Sequence, residues 1–345
     1  MEVSPARPPR RRPRSARIDN LTLLLVLAVV LLSGVGSWLV GTPTGRWVVV
    51  THGVGGLLVL LLVRWKAPVI RSGWRRSRRS RWASAALAVL TVLALVTGVL
   101  HSTGLVTVAA GQLMMWWHVA AGLVLVPLLG WHALAHRQRP RRTDLDRRLL
   151  LRGGGRVAAA AAVWVAMEGL MQLRGLPGAE RRFTGSYPLP RPRPTIWLAD
   201  RRPEVDPATW MLRLAGAGAA ARTLSLADIL TGPATTVRAV IDCTSGWSSE
   251  QDWTGPALAD LVGDVPAGGS VLVRSATGYS RRLGPDELGG VVLAHAMAGE
   301  ALPADLGAPL RLVVPGRRGF WWVKWVTEVR VDDRPPWWQP TFPLQ

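Results

Sequence analysis

Cysteine is almost absent from this chain: Cys243 stands alone in 345 residues. One thiol excludes an intramolecular disulfide and leaves no donors for a cysteine-rich zinc or iron–sulfur site, so any chemistry of Cys243 is solitary. Acidic residues are scarce too, 22 against 42 Lys and Arg, for a formal net charge of +20. Such an excess alone would suit a nucleic-acid partner, but no basic stripe with interleaved aromatics occurs on a soluble stretch. The arginines gather instead in three runs, 7–17, 71–81 and 137–156, each flanking apolar sequence. Charge placed in this way reports membrane topology and argues against a nucleic-acid partner.

Long apolar sequence is present, and it is confined to the first half. A bilayer is crossed by about 20 apolar residues at 1.5 Å rise per residue. Five segments qualify: Leu21–Val40, Trp47–Val63, Ala83–His101, Leu113–Ala135 and the alanine-rich Val157–Leu173, which holds Glu168. Trp38, Trp47, Trp65, Trp82, Trp116, Trp117 and Trp131 lie toward segment ends, as interfacial anchors do. The positive-inside rule places the three basic runs in the cytoplasm and the loops Gly41–Arg46 and Ser102–Gln112 outside. After an odd number of spans, everything beyond about Gly175 is outside as well. The expected organisation is a basic cytoplasmic 1–20, a four-span domain 21–136, a basic loop and fifth span 137–174, and an extracytoplasmic domain 175–345. Asp146–Arg152 resembles a twin-arginine export signal with an uncleaved apolar region, although a plain basic stop before a helix reads alike. Glu168 is either capped toward the outer interface or part of a proton path.

Of the six histidines, His52, His101, His118, His132 and His136 lie in or beside these segments, where polar side chains are costly and by default functional. His52 and His118 each sit about five residues inside an outer span end, a common depth of roughly 8 Å. Two histidines at equal depth on different helices can clamp one haem iron from both sides. Gly53, Gly55, Gly56 and Gly122 would leave room beside the macrocycle. His132 follows His118 by fourteen residues, four near-whole turns, but the matching position after His52 is Lys66, a poor haem ligand. One outer haem is therefore expected. His132 and His136 remain for proton uptake or quinone contact, with His101 an alternative ligand. In histidine pattern and span count this half resembles the haem-binding helical bundles of bacterial b-type cytochromes.

From Gly175 the chain turns to Pro-rich coil at Tyr187–Pro194, strands such as Thr236–Asp242, Ser270–Arg274 and Pro309–Val314, and short helices at Leu226–Leu230 and Ala257–Val262. The fold class is thus an all-α transmembrane bundle followed by a strand-rich α+β domain of about 170 residues, enough to bury its own core. The strand Val237–Asp242 runs directly into the polar turn Cys243–Thr244–Ser245–Gly246–Trp247. Such a strand end can present a thiolate, and soft thiolates suit redox-active metals; a lone cysteine is otherwise a small buried packing residue.

Three ordered motifs carry a closer likeness: Ile241–Trp247, then Trp253–Leu258, then Gly307–Gly316 followed by Trp322–Trp325. Across nearly all of Phe183–Val331 the chain resembles the sulfite oxidase and methionine sulfoxide reductase type of molybdopterin enzyme. The resemblance implies molybdenum coordinated by the Cys243 sulfur and the dithiolene of one pterin, with Thr244 and Ser245 beside it. It also implies that Arg311, Trp322, Val323 and Lys324 hold the pterin and its phosphate, which suits cations near backbone amides. Thr184–Tyr187, including Ser186, corresponds to a loop that touches the cofactor in relatives. A polar residue commonly precedes the Gly-x-Pro-x-Arg motif in the family, whereas Leu306 stands here. Arg281, Arg282, Arg317 and Arg318 are further candidates for an anion site.

Together these expectations describe an oxidoreductase that exchanges electrons between a molybdenum centre and haem b. Its partners would be membrane lipid, quinone or quinol, and a small-molecule substrate. Reduction of an oxidised sulfur compound of the sulfoxide type is the expected reaction; the alternatives are dehydrogenation of a substrate such as sulfite, with electrons flowing to the haem and quinone, and a non-catalytic membrane sensor. Fusion of the two centres in one chain would raise their effective concentration.

Overall fold

A computed structural model describes residues 14–74, 78–135, 147–195, 201–216 and 219–341. The chain divides into two compact units, Met1–Ser37 with Thr44–Gly185, and Trp38–Pro43 with Ser186–Gln345.

Among the described residues of the first unit, five long helices follow one another: α1 (Arg14–Leu39), α2 (Arg46–Trp74), α3 (Arg78–Thr103), α4 (Met114–Ala135) and α5 (Arg147–Arg174). Each contains a stretch long and apolar enough to cross a membrane: Asn20–Leu39, Pro43–Val63, Trp82–Thr103, Met114–Ala135 and Leu151–Arg174. These overlie the five segments expected from hydropathy, with helical geometry continuing past the point where apolarity stops. The twin arginines Arg147 and Arg148 open α5, while Asp146 and His136 lie outside the described residues. Leu25, Leu32, Val89, Leu123 and Val165 are exposed, so the helices are apolar even on faces without a protein neighbour, as lipid-facing helices are.

Close packing of these helices depends on residues without side chains. A Cβ on Gly53 of α2 would lie 2.0 Å from the Trp164 ring of α5, and one on Gly55 would lie 2.6 Å from Val30 of α1. Leu58, Leu62 and Ala160 are buried along the same contact, with Leu23, Val26, Val54, Leu57 and Leu61 around them. A two-residue hairpin, β1 (Val108–Ala109) against β2 (Gln112–Leu113), joins α3 to α4. Glu168 accepts a hydrogen bond from Arg181 Nη2 at 2.8 Å, and Arg181 Nε donates to Gly178 O at 2.8 Å. That ion pair fastens α5 to the segment that follows it, so the carboxylate left between two roles by the sequence has a local cation as its partner.

The second unit is built on strands β3 (Tyr187–Pro188), β4 (Met211–Gly216), β5 (Ala219–Ser225), β6 (Thr235–Asp242), β7 (Trp247–Gly255), β8 (Ser270–Ser275) and β9 (Ser280–Leu283), then β10 (Val292–Ala294), β11 (Ala296–Met297), β12 (Glu300–Ala301), β13 (Arg311–Val313) and β14 (Val326–Asp332). Two short helices, α6 (Leu226–Thr231) and α7 (Leu258–Val262), complete it. One sheet runs β5-β4-β14-β8-β9, with β4 and β14 parallel; a second runs β12-β11-β7-β3, with β6 antiparallel to β7; β10 pairs with β13. Val271 and Val273 of β8, Leu283 of β9, Leu312 of β13 and Val326 of β14 are fully buried. Ser270, Leu272 and Ser275 of β8 are buried too, so this strand is covered on both faces. Trp253 is completely enclosed, and its Nε1 donates to Ala239 O at 3.2 Å, so its polar edge is satisfied inside the core. Strand β6 delivers Asp242 and Cys243 to the turn that precedes β7.

Candidate functional site

In the helical unit, His52 of α2 and His118 of α4 meet with Nε2 atoms 3.4 Å apart and rings at 89°. The depth match expected from sequence places the rings together. His52 Nδ1 lies 2.9 Å from Val30 O, and His118 Nδ1 lies 2.8 Å from Ala94 O. A carbonyl only accepts, so each Nδ1 carries the hydrogen, and in the neutral rings both Nε2 lone pairs face one another. That arrangement is electrostatically poor unless a cation lies between them, and it is the tautomer a metal-bound imidazole adopts. Ordinary metal–imidazole bonds on opposite sides of one ion would set the nitrogens about 4 Å apart, slightly wider than here.

The space beside these rings comes from glycines other than those expected. A Cβ on Gly34 would stand 3.0 Å from the His52 ring, and one on Gly98 would stand 3.1 Å from the His118 ring. Gly53 and Gly55 serve helix packing instead, and a Cβ on Gly122 would meet nothing within 4 Å. The correction follows from geometry: room beside a ring is made by the helix facing it, not by the helix that carries it. His101 is buried, with Nε2 donating to Gly185 O at 3.0 Å, so that nitrogen is occupied by the backbone.

In the strand-rich unit, Cys243 is buried at the end of β6. Cys243 N donates to Trp247 O at 2.8 Å and Gly246 N to Cys243 O at 3.1 Å, closing a tight turn whose Gly246 has φ +94°. Only glycine takes that conformation at little cost. Ser245 Oγ lies 3.1 Å from the Cys243 sulfur, and Thr244 is half-buried beside it. Behind the turn, Asp242 is ion-paired with Arg318 inside the protein, and Ser186 Oγ donates to Asp242 Oδ1 at 2.7 Å. Arg318 Nη2 also donates to Cys243 O at 3.3 Å. Tyr187 pairs through its backbone with Trp247. Thr184 is buried and belongs to the helical unit.

Arg311 and Lys324 both interact electrostatically with Cys243. Burial draws the Arg311 guanidinium down to about 10, against an upward pull from Cys243. Burial, then the Arg311 charge, draws Lys324 down to about 7, against upward pulls from Cys243 and Asp305. Arg311 Nη1 donates to Leu306 O at 2.6 Å, but its Nε is buried without a partner among the described residues. Lys324 Nζ donates to Thr195 O at 2.8 Å and to Asp305 O at 3.1 Å. Among the described residues neither cation is in an ion pair, an expensive arrangement that a bound anion would relieve. Gly307, at φ +117°, lies against Lys324: a Cβ there would come within 3.1 Å of its Cα. The Trp322 ring packs at 5.3 Å on Trp253, and both rings lie under the Arg311 guanidinium. Val323 is wholly buried, its N donating to Trp321 O and its O accepting from Leu312 N.

The four arginines considered for an anion site are largely committed elsewhere. Arg282 pairs with Asp332, Arg317 with Glu287 and Arg318 with Asp242. Arg281 is enclosed by Tyr279, Phe320 and Trp321. Sequence reasoning missed Thr195, whose Oγ1 stands 3.9 Å from the Cys243 sulfur and receives the Trp247 indole N–H at 3.3 Å. It lies 48 residues upstream in Pro-rich coil, where no spacing rule points.

Residues 197–338 match the model of a family described as oxidoreductase molybdopterin binding domain. Sulfite oxidase of Gallus gallus is 29% identical over 183 residues, covering 40% of this chain and 38% of that protein. Nitrate reductase [NADPH] of Aspergillus niger is 32% identical over 162 residues, covering 38% and 19% respectively. The protein-methionine-sulfoxide reductase catalytic subunit of Ralstonia nicotianae is 30% identical over 152 residues, covering 38% and 46%. The chain therefore spans less than half the length of these curated relatives. Residues 197–338 are an oxidoreductase molybdopterin-binding domain homologous to those of sulfite oxidase and the methionine-sulfoxide reductase catalytic subunit.

Proposed function

We propose that this chain is a membrane-anchored molybdopterin-dependent oxidoreductase whose helical unit binds one b-type haem and whose strand-rich domain faces away from the cytoplasm. The observation that carries the reading is the buried Cys243 sulfur with two buried cations acting on it, Arg311 and Lys324, which make no ion pair among the described residues. Cys243 would hold the molybdenum, and Arg311 and Lys324 the anionic part of the pterin. Thr244, Ser245, Trp322 and Val323 would line the pocket, and Thr184, Ser186 and Tyr187 would supply the upstream loop. Molybdenum so held supplies two-electron oxygen-atom chemistry, whereas haem exchanges electrons singly.

His52 and His118 would hold the haem iron, with Val30 O and Ala94 O fixing both tautomers. The three basic runs support a multi-pass arrangement with a cytoplasmic N-terminus and an outer C-terminal domain. The substrate class is an oxidised sulfur compound of the sulfoxide type, with membrane quinol as electron source. Likeness to a protein named sulfite oxidase favours a second reading on the same residues, with electrons leaving a substrate such as sulfite for the haem and quinone.

Metal analysis of the purified chain tests the proposal, with one molybdenum and one haem iron expected per chain. Molybdenum without haem would remove the electron-transfer half of the reading, and neither metal would leave a non-catalytic membrane sensor. An enzyme reporter active only outside the cytoplasm, fused after Gln345, is expected to work, and one fused at Gln138 is not.

A further inference from the structure

We propose that the Ser245 hydroxyl tunes the reduction potential of a metal held by Cys243, through a hydrogen bond to its sulfur. The inference rests on the reading of Cys243 as a metal ligand. Ser245 Oγ stands 3.1 Å from the sulfur, the residue is buried, and the sulfur is the one hydrogen-bond partner of that hydroxyl among the described residues. The turn holds Ser245 there, because Cys243 N to Trp247 O and Gly246 N to Cys243 O fix the backbone on either side. A thiolate has no proton to give, so the hydroxyl donates.

Thr195 is arranged in the opposite sense. Its Oγ1 receives the Trp247 indole N–H at 3.3 Å and is placed to accept from a Cys243 S–H at 3.9 Å, while its own proton goes to Arg193 O at 3.3 Å. It gives the sulfur no hydrogen bond, and a thiolate has none to give it.

A thiolate ligand pushes electron density onto its metal and favours the oxidised form. A hydrogen bond to the sulfur withdraws part of that density, favours the reduced form and raises the potential, as hydrogen bonds to metal-bound sulfur do elsewhere. Arg311 and Lys324 act in the same direction through space, but Ser245 touches the ligand atom itself, so its removal changes the ligand without removing a charge. Ser245 is here a tuning residue and not a catalytic one.

The test uses the full chain in detergent, with molybdenum counted per chain and the midpoint potential of the metal's one-electron couple read by spin resonance. Ser245→Ala is expected to lower the potential by the equivalent of about a tenfold change in equilibrium constant, about 59 mV for one electron. Ser245→Thr, which keeps a hydroxyl, is expected to hold the wild-type value, and so is Thr195→Val, which removes no donor to the sulfur. Ser245→Gly also lacks the donor and replaces the alanine variant if that takes up no metal. Normal molybdenum content with an unshifted potential overturns the tuning role and leaves Cys243 as ligand. A wild-type chain that carries no molybdenum overturns the ligand reading itself, and this inference with it.

Discussion

In the helical unit the two histidine rings take their orientation from carbonyls of neighbouring helices, Val30 O and Ala94 O, and among the described residues neither ring is in an ion pair. In the strand-rich unit the cysteine sulfur takes its position from a four-residue turn, and its surroundings hold two buried cations. The first arrangement prepares neutral nitrogen donors, and little about it depends on sequence between the helices. The second sets a buried sulfur among buried cations and depends on residues from Ser186 to Lys324. Neutral rings between apolar helices suit a flat, largely apolar group, whereas a cationic pocket suits a phosphorylated one.

The largest expected effect falls on the turn. Cys243→Ser is nearly isosteric and is expected to leave a folded domain, at a cost on the order of 1 to 3 kcal/mol. Turnover, measured as substrate-dependent haem oxidation or reduction, is expected to drop by orders of magnitude, because a hard oxygen replaces a soft sulfur. Wild-type turnover in this variant would reduce Cys243 to a packing residue and erase the comparison.

Next come the rings. His52→Ala and His118→Ala are each expected to abolish the reduced-minus-oxidised b-type bands, while His132→Ala keeps most of them. Bands lost in His132→Ala and retained in His52→Ala would show that the rings in contact are not the ligand pair.

Lys324 sharpens the contrast in charge. Its folded-state value is drawn from 10.5 to about 7. Between those values the unfolded chain binds more protons than the folded one. Stability of the cofactor-free protein is therefore expected to rise with pH across this window and to fall again as pH drops toward 7, at up to about 1.4 kcal/mol per pH unit. Denaturant midpoints from pH 7 to 10 should follow that slope, and Lys324→Met should flatten it. A flat profile in the unmodified chain would mean that the charge is already compensated without an anion.

The smallest effect concerns the helices alone. Gly53→Ala, with its Cβ 2.0 Å from Trp164, is expected to cost about 1 to 3 kcal/mol or to shift α5 visibly in crosslinking. Gly122→Ala, which meets nothing, is expected to stay within about 1 kcal/mol of wild type in thermal melting. Equal losses at both positions would contradict the packing described.

Hydropathy alone was enough to locate the five helices, because apolar runs of this length have few other uses. Equal depth was enough to pair His52 with His118, because helical rise is regular. What spacing along one helix cannot show is the facing surface, and so Gly34 and Gly98, which lie against the rings, were missed, while Gly53 and Gly55 lie against Trp164 and Val30. In the second unit, alternation placed β6 and β8 within a residue of their observed ends, and the motif around Cys243 marked the turn. Thr195 and the Asp242–Arg318 pair were not legible, since both join segments far apart in sequence through side chains. Arg318 was a candidate for an anion site for the same reason: a charge looks available until its distant partner is known.

Ser186 bears on where a soluble fragment can be cut. The family match starts at residue 197, and a gene designer guided by it would begin there. Such a fragment would lack β3, the parallel pairing of Tyr187 with Trp247, and the Ser186 hydroxyl on Asp242. It would lack Thr195 as well, and with it the carbonyl that holds Lys324. The ten-odd residues upstream of the recognised domain are structural parts of the cysteine pocket, so a fragment meant for cofactor loading or crystallisation has to start no later than Ser186.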